Sequence, residues 1–428
     1  MTEPLRIAIA GLGTVGVGVI EILQKHAPLL ASRAGRPMEL VAVSARSRSK
    51  ERSVDLSAYE WEDDPVALAR RDDVDLIIEV IGGEDGPAKA LIETALESGK
   101  QVVTANKALL ARHGTELARM ADKTGTCLRY EAAVAGGIPI VKALVEGMAA
   151  NGMTRVMGVM NGTCNYILTE METTGRDYEP ILADAQALGY AEADPEADVG
   201  GFDAAQKLSL LSAAAFGTEV DYDGVTIEGI ERVTLTDIRY ARDMGYRIKL
   251  LGVAAATPAG IERRMQPCLV PADSPLGQLE GVSNMVVLEG DFIGQTVYQG
   301  PGAGAGPTAS AVMADVLDIA RGNTPPVFGQ RAEMLAAPVA AQAGADAPYY
   351  LRLSLADRPG TLARVADALG QAGISIDRMR QTQHESGTAP VLIVTHSAAR
   401  TALDSALETI ANLDVCDEAP VAYRIEPV

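Results

Sequence analysis

Leu5-Arg6-Ile7-Ala8-Ile9-Ala10-Gly11-Leu12-Gly13-Thr14-Val15-Gly16 is the stretch on which the reading of the fold turns. Leu5 to Ala10 is a short, mostly apolar run closed by glycine, the pattern of a strand buried inside a parallel sheet. Glycine recurs at 11, 13 and 16, and a helical pattern follows through Val19, Ile20 and Leu23. Glycine spacing alone is a weak signal, since a structural turn shows it too. The strand before and the helix after supply the context. Gly11 permits a tight turn, Gly13 lets a diphosphate approach the backbone, and Gly16 lets helix pack on strand. With Leu12, Thr14 and Val15 completing the loop, the helix N-terminus faces the phosphates.

A second strand, Leu40 to Ser44, is predicted next. An NAD-selective site carries an acid at the end of this strand to hold the ribose hydroxyl. None lies between 40 and 50; Arg46, Arg48 and Lys50 stand there instead. Cations suit a 2′-phosphate, so NADP is the expected cofactor, with NAD possible; a solvated basic loop is the plain alternative. Further strands are expected at Val74 to Val80 and Gln101 to Thr104, with helices near 65–71 and over Pro87 to Ser98, the latter ended by Gly99. The alternation predicts a Rossmann-like, doubly wound parallel sheet. Ligands bind such sheets at the carboxyl edge, which singles out Ile81-Gly82-Gly83 and Thr104-Ala105-Asn106-Lys107. Lys107 would lie toward the nicotinamide; a surface lysine at a helix start is the bland reading.

At 428 residues the chain suggests two or three domains. Its formal charge of −20 repels phosphate backbones and anionic lipid, so neither nucleic acid nor membrane is an expected partner. Cys127, Cys164, Cys268 and Cys416 show no CxxC pair, which fits a reducing compartment. Met1-Thr2-Glu3-Pro4 lacks the pattern of a secretory signal, and no apolar run reaches membrane-spanning length. A cytoplasmic enzyme is expected. Histidine occurs only at 26, 113, 384 and 396. The middle third must therefore work with Lys, Asp, Glu, Tyr or Cys, and His-dependent hydrolysis or zinc chemistry is excluded there.

Three segments of that middle third stand out. Glu131 to Ile140 contains a Gly-Gly-Ile-Pro turn that exposes carbonyls, as a hard cation prefers; an ordinary turn is the simpler reading. Met160 to Tyr166 is small, polar and turn-like before a helix over Ile167 to Thr173, and can line a pocket or merely cap the helix. Ala185 to Lys207 is the most informative. From Phe202 it is helical, which puts Asp203 and Lys207 one turn apart on one face. Such a pair is often only a surface salt bridge. Against that stands its setting, a Pro-, Gly- and acid-rich chain feeding an apolar helix.

The run Ala185-x3-Gly189-Tyr190-Ala191-x2-Asp194-Pro195-x2-Asp198-Val199-x-Gly201-x-Asp203-x3-Lys207 resembles the diagnostic motif of homoserine dehydrogenases. The Gly11 loop, Thr104 to Lys107, Glu131 to Pro139, Asn161 to Leu168 and Gly302 to Asp315 match in the same order. The resemblance implies reversible, nicotinamide-dependent reduction of L-aspartate 4-semialdehyde to L-homoserine. It implies that Glu192 and Asp198 help bind this small substrate, that Asp203 stands beside Lys207, and that Lys207 and Lys107 are candidates for proton transfer. Glu131 with the carbonyls of Val134, Gly136 and Ile138 would match the family's sodium site. Gly302 to Gly306 would return the chain to the nucleotide, and a sheet within 220–300 would build a dimer interface, giving a homodimer or homotetramer. A phosphate-dependent semialdehyde dehydrogenase using Cys164, or a non-catalytic NADP- and amino-acid-sensing protein, are the alternatives.

The expected domains are 1–138, completed by 302–325, for the dinucleotide; 139–301, α+β, for substrate, catalysis and dimerisation; a linker over 326–348, lowest in complexity from 336; and 349–428. This last part reads as strand, helix, two strands, helix, strand, a ferredoxin-like βαββαβ order. Its Asp357-Arg358-Pro359-Gly360 turn and Gly373-Ile374-Ser375-Ile376 strand entry resemble an ACT domain. That implies an amino-acid effector, threonine in this family; a purely structural dimerisation module is the alternative.

Overall fold

The computed structural model describes residues 3–341, 344–381 and 388–427; His384 and residues 342–343 of the expected linker lie outside them. The chain divides into two compact units. One comprises Met1–Gly162, Asp203–Val225 and Val282–Pro338, the other Thr163–Phe202, Thr226–Gly281 and Val339–Val428. Residues 139–162, 203–225 and 282–301, expected with the substrate domain, group with the dinucleotide part by this division.

Elements of the first unit are numbered in chain order. It opens β1 (Leu5–Ala10), α1 (Thr14–Ala34), β2 (Met38–Ser44), β3 (Glu60–Glu62), α2 (Pro65–Arg70), β4 (Leu76–Glu79), α3 (Pro87–Glu97), β5 (Gln101–Thr104), α4 (Lys107–Thr124) and β6 (Leu128–Arg129). The six strands pair in parallel in the order β3-β2-β1-β4-β5-β6. This is a Rossmann-like sheet whose strand order reverses between β1 and β4, and the crevice for a ligand opens at the carboxyl ends there. Ile7, Ala8, Ile9 and Ala10 are wholly buried, as strands covered on both faces must be. Gly99 takes φ +75° just beyond the Ser98 cap of α3, a conformation cheap only for glycine. α1 runs past the expected Leu23 and across Pro28, and kinks at His26 because proline cannot donate the hydrogen bond.

The same unit continues with β7 (Met153–Val159), α5 (Phe202–Phe216, from its second residue), β8 (Ser283–Gly290), β9 (Gly294–Pro301) and α6 (Ala305–Arg321). β7, β8 and β9 form an antiparallel set with β8 in the middle. α6 lies against α1: Val19, Ile20 and Leu23 share a core with Ala309, Val312 and Val316. The approach is close, for a Cβ on Gly18 would stand 3.1 Å from the Ala305 carbonyl.

In the second unit the strands Tyr246–Thr257 and Gly260–Pro271 make a long hairpin. The strand Val421–Ile425 pairs in parallel with its second arm, and Tyr349–Ala356, Thr388–Thr395 and Ile376–Gln381 follow in the same sheet. Helices Thr361–Gln371 and Arg400–Ala411 cover one face through Val365, Leu369, Leu403 and Ile410. The order from Tyr349 onward is βαββαβ, the ACT arrangement. Arg264 reaches across the seam between hairpin and ACT strands to the buried Glu426 carboxylate, which Arg424 bonds from its own strand. On the other face Arg352 Nε donates to Asp237 Oδ1 at 2.5 Å, tying down the helix Leu235–Asp243.

The stretch expected as a linker is largely packed. Val327, Phe328, Ala332 and Leu335 are buried in the first unit. In the second, Ile261 exchanges backbone hydrogen bonds with Val339 and Ala341. Alanine-rich sequence hides such pairing because the backbone makes it.

Candidate active site

Three charged side chains meet where α4 and α5 begin. Lys107 opens α4, whose start is held by Asn106: its Oδ1 accepts from Leu109 N at 3.1 Å and its Nδ2 donates to Gly83 O at 2.8 Å. Asp203 and Lys207 sit one turn apart on α5. Lys207 Nζ donates to Asp203 Oδ2 at 2.6 Å and to the Met160 carbonyl at 2.8 Å. Lys107 Nζ lies 3.1 Å from Asp203 Oδ1, and Asn161 Nδ2 donates to Asp203 Oδ2 at 3.2 Å. The Lys207 side chain is 11% exposed, Asp203 16% and Lys107 33%, so the second lysine faces the open side. This is no surface salt bridge. Burial opposes ionising Asp203, but Lys207 and Lys107 outweigh it and hold the carboxyl well below the usual carboxylate range. One carboxylate thus braces two ammonium groups, either of which can meet an oxygen on which negative charge grows.

The glycine loop stands at the carboxyl end of β1. Gly11 takes φ +106°, and a Cβ there would collide with the Val80 carbonyl; one on Gly16 would collide with Gly11 itself. A Cβ on Gly13 would meet nothing within 4 Å, so packing does not demand glycine there, and the open space leaves room for the close approach of a diphosphate that such a loop offers. Gly13 caps α1 without a side-chain bond, which leaves the first-turn N–H groups for an anion. Leu12 is buried, while Thr14 and Val15 begin the helix. Arg46 and Arg48 are exposed beyond β2, and Arg48 lies over Trp61 at 5.8 Å. Gly306 is exposed in the first turn of α6, also with open space before it.

Two supporting residues escaped the sequence reading. Arg52 Nε donates to the Leu12 carbonyl at 3.2 Å, joining the basic loop to the glycine loop. Glu79, wholly buried at the end of β4, accepts from Thr104 Oγ1 at 2.6 Å and from Ile81 N at 2.7 Å. An acid closing an otherwise apolar strand was the available signal. It fixes the two carboxyl-edge loops that sequence had singled out.

Glu131 is buried, and its carboxylate accepts from Val141 N at 3.0 Å and Lys142 N at 2.8 Å. Burial and then Asp315 push its carboxyl up to about 7 against those donors. Ala135 at φ +52° and Gly136 at φ +24° shape the turn between Val134 and Ile138. The Ile138 carbonyl already accepts from Ile140 N at 2.8 Å. Among the described residues no group of three or more His, Cys, Asp or Glu is arranged to hold a metal ion. Glu192 and Asp198 belong to the second unit. Glu192 is exposed, and Asp198 is half-buried on the short helix Glu196–Val199, its carbonyl accepting from Cys164 Sγ at 3.2 Å. The helix after Met160 begins at Gly162 rather than Ile167, so Thr163 to Tyr166 form its first turn.

Family models match the chain in three places: the homoserine dehydrogenase NAD-binding domain over residues 11–131, homoserine dehydrogenase over 139–317, and the ACT domain over 349–415. A homoserine dehydrogenase of Neisseria gonorrhoeae is 43% identical over 427 residues, 98% of each chain. That of Pseudomonas aeruginosa is 41% identical over 99% of each. The crystal structure of a homoserine dehydrogenase from Thiobacillus denitrificans superposes with a TM-score of 0.94 at 38% identity, covering 99% of both chains. From the fold, the braced lysine pair and this end-to-end likeness, the chain belongs to the homoserine dehydrogenase family of nicotinamide-dependent oxidoreductases acting on a CH–OH group, with an ACT domain following the catalytic part.

Proposed function

We propose that Lys207 and Lys107, braced by Asp203, handle the proton in the reversible reduction of L-aspartate 4-semialdehyde to L-homoserine. The observation that carries this is one carboxylate shared by two ammonium groups beside the carboxyl end of β5. The nicotinamide, when bound, supplies the hydride. Alkoxide charge then grows on the aldehyde oxygen, and a nearby ammonium stabilises it and gives up a proton. Lys207, tied to Asp203 and Met160, orients and polarises the carbonyl; the more exposed Lys107 shares the proton transfer. Glu192, with Asp198, receives the substrate ammonium, a role supported by its carboxylate and its place in the motif.

Arg46 and Arg48, without an acid at the end of β2, support NADP as the preferred cofactor, with NAD as the lesser one. Glu131 and the carbonyls of Val134, Gly136 and Ile138 fit a sodium ion, since carbonyl-rich turns suit hard cations and the carboxylate keeps spare lone pairs. The ACT module supports threonine as an effector. The exposed strand β9 and the 89% exposed Phe292 beside it support a homodimer or a homotetramer of such dimers. Among the described residues no helix is long and apolar enough to cross a membrane; together with the scattered cysteines this supports a cytoplasmic enzyme. The test follows NADPH absorbance with L-aspartate 4-semialdehyde, without phosphate and with or without threonine. Consumption faster with NADPH than NADH, and slowed by threonine, is expected. No consumption with either nucleotide would end the reading.

A further inference from the structure

β2 ends at Ser44, and no helix or strand intervenes before Glu60. Residues 46–50 of this connection, with Arg46, Arg48 and Lys50 among them, are all exposed. A surface loop of this kind takes a fixed shape only where its backbone is tied down. Arg52, half-buried, is such a tie. Its Nη1 donates to the Lys50 carbonyl at 2.7 Å and its Nη2 to the Ser47 carbonyl at 2.8 Å. Its Nε reaches the Leu12 carbonyl at 3.2 Å. Two of these acceptors flank Arg48 and the third lies in the glycine loop, so one planar guanidinium sets the curl of the basic loop and fastens it to the glycine loop. Trp61 of β3 backs the arrangement, with the guanidinium carbons of Arg52 and Arg48 at 5.7 and 5.8 Å from the centre of its ring.

The strand order gives this loop its place in the dinucleotide fold. β1 and β2 pair in parallel as far as Ala10 and Ser44, and Gly11 N donates to the Ser44 carbonyl at 2.9 Å. The glycine loop and the basic loop therefore leave the same edge of the sheet side by side. In such folds the residues after the second strand meet the ribose 2′-position. The site is open on this side: residues 46–50 face solvent, and a Cβ on Gly13 would meet nothing within 4 Å.

We infer that Arg52 is a positioning residue for cofactor selectivity: bonded to its own chain and not to the cofactor, it holds Arg46 and Arg48 where they receive a ribose 2′-phosphate. This rests on those two arginines making NADP the preferred cofactor, as proposed above. The role needs the guanidinium and not merely its charge. Three carbonyls in three directions match the fork of an arginine, and the single nitrogen of a lysine cannot span them.

The test uses the full chain and reads a preference ratio, kcat/KM with NADPH over kcat/KM with NADH, at saturating aldehyde. Both values come from one preparation, so partial loss of folded protein cancels. Trp61 is the single tryptophan of the chain, and energy transfer from it to the reduced ring gives the two dissociation constants without turnover. Arg52→Met and Arg52→Lys are each expected to lower the ratio about tenfold. In an Arg46→Ala/Arg48→Ala background, Arg52→Met lowers it no further. A lysine variant that keeps the wild-type ratio shows that only charge counts at residue 52. A further loss in the double-alanine background shows that Arg52 meets the phosphate itself. Either result overturns the inference, and so does an unchanged ratio in Arg52→Met. A wild-type enzyme without preference for NADPH, or one whose preference survives Arg46→Ala/Arg48→Ala, fails the reading beneath, and the inference falls with it before residue 52 is changed.

Discussion

Lys207 and Lys249 are both buried, at 8% and 3% exposure, in different units and different company. Lys207 has a carboxylate at 2.6 Å, and that carboxylate is shared with Lys107. Lys249, on the strand Tyr246–Thr257, donates to Asn165 Oδ1 at 2.9 Å and to the Leu279 carbonyl, both neutral acceptors. Burial, with Arg247 adding, pulls the Lys249 ammonium down to about 8, against the pull of Glu172 and Glu280. The difference teaches how a fold assigns work to an amine. An acid in contact makes an ammonium a tool for stabilising negative charge, whereas carbonyls alone turn a lysine into a structural donor that functions with or without its extra proton. Here that donor fixes Asn165 in the first turn of the helix Gly162–Thr174.

The largest expected contrast is in turnover. Lys207→Ala should lower kcat by about 10²- to 10⁴-fold, and Lys249→Met by less than about tenfold. Similar losses in stopped-flow or steady-state assays would break the comparison. Next comes Asp203→Asn, which leaves two amines without their brace. Its kcat should fall at least about tenfold, and its urea midpoint should drop, since one partner of a largely buried ion pair is lost. Because the Asp203 carboxyl is held below its unfolded value, its stabilisation is full above that value and lost only as pH falls through the lower folded one. The stability gap between wild type and Asp203→Asn should therefore stay constant from about pH 8 to pH 5; a gap that closes within that range would contradict the ion pair.

Replacing Arg46 and Arg48 together by Ala should raise KM for NADPH roughly tenfold and leave that for NADH within about twofold. An equal rise for both would show the loop to be merely solvated. The smallest effect belongs to Lys249→Met. With a folded value near 8 and an ordinary unfolded one near 10.5, the wild-type unfolded chain binds more protons between them. Its stability relative to the variant should rise across that window and be flat below it. Melting curves from pH 7 to pH 10 check this, and a gap that shrinks would overturn the assignment.

Much of the first unit was legible from local pattern. β1 and β5 occupy the expected residues, and α5 starts at the expected Phe202, because buried strands and amphipathic helices leave periodic traces. The pairing of Asp203 with Lys207 could be read from i, i+4 spacing. That Lys107 would reach the same carboxylate from another helix could not. Glu79, Arg52 and Lys249 were passed over for a related reason: the partners that give them meaning lie far away in the chain. The segment 326–348 misled in the opposite sense, since its composition resembles a tether while Phe328 and its neighbours fill a core.

By itself the amino-acid sequence determined the parallel sheet with its glycine loop, the family motif ending at Lys207, and the βαββαβ module at 349–428. Each rests on spacing along the chain, which periodic backbones convert directly into a shared face or a turn. Only the tertiary structure decided that one carboxylate would hold two lysines, that Glu79 would clamp both carboxyl-edge loops, and that the ACT sheet would continue into the 246–271 hairpin. Those outcomes depend on which distant segments meet when apolar faces are buried, and on desolvation, which no local pattern records.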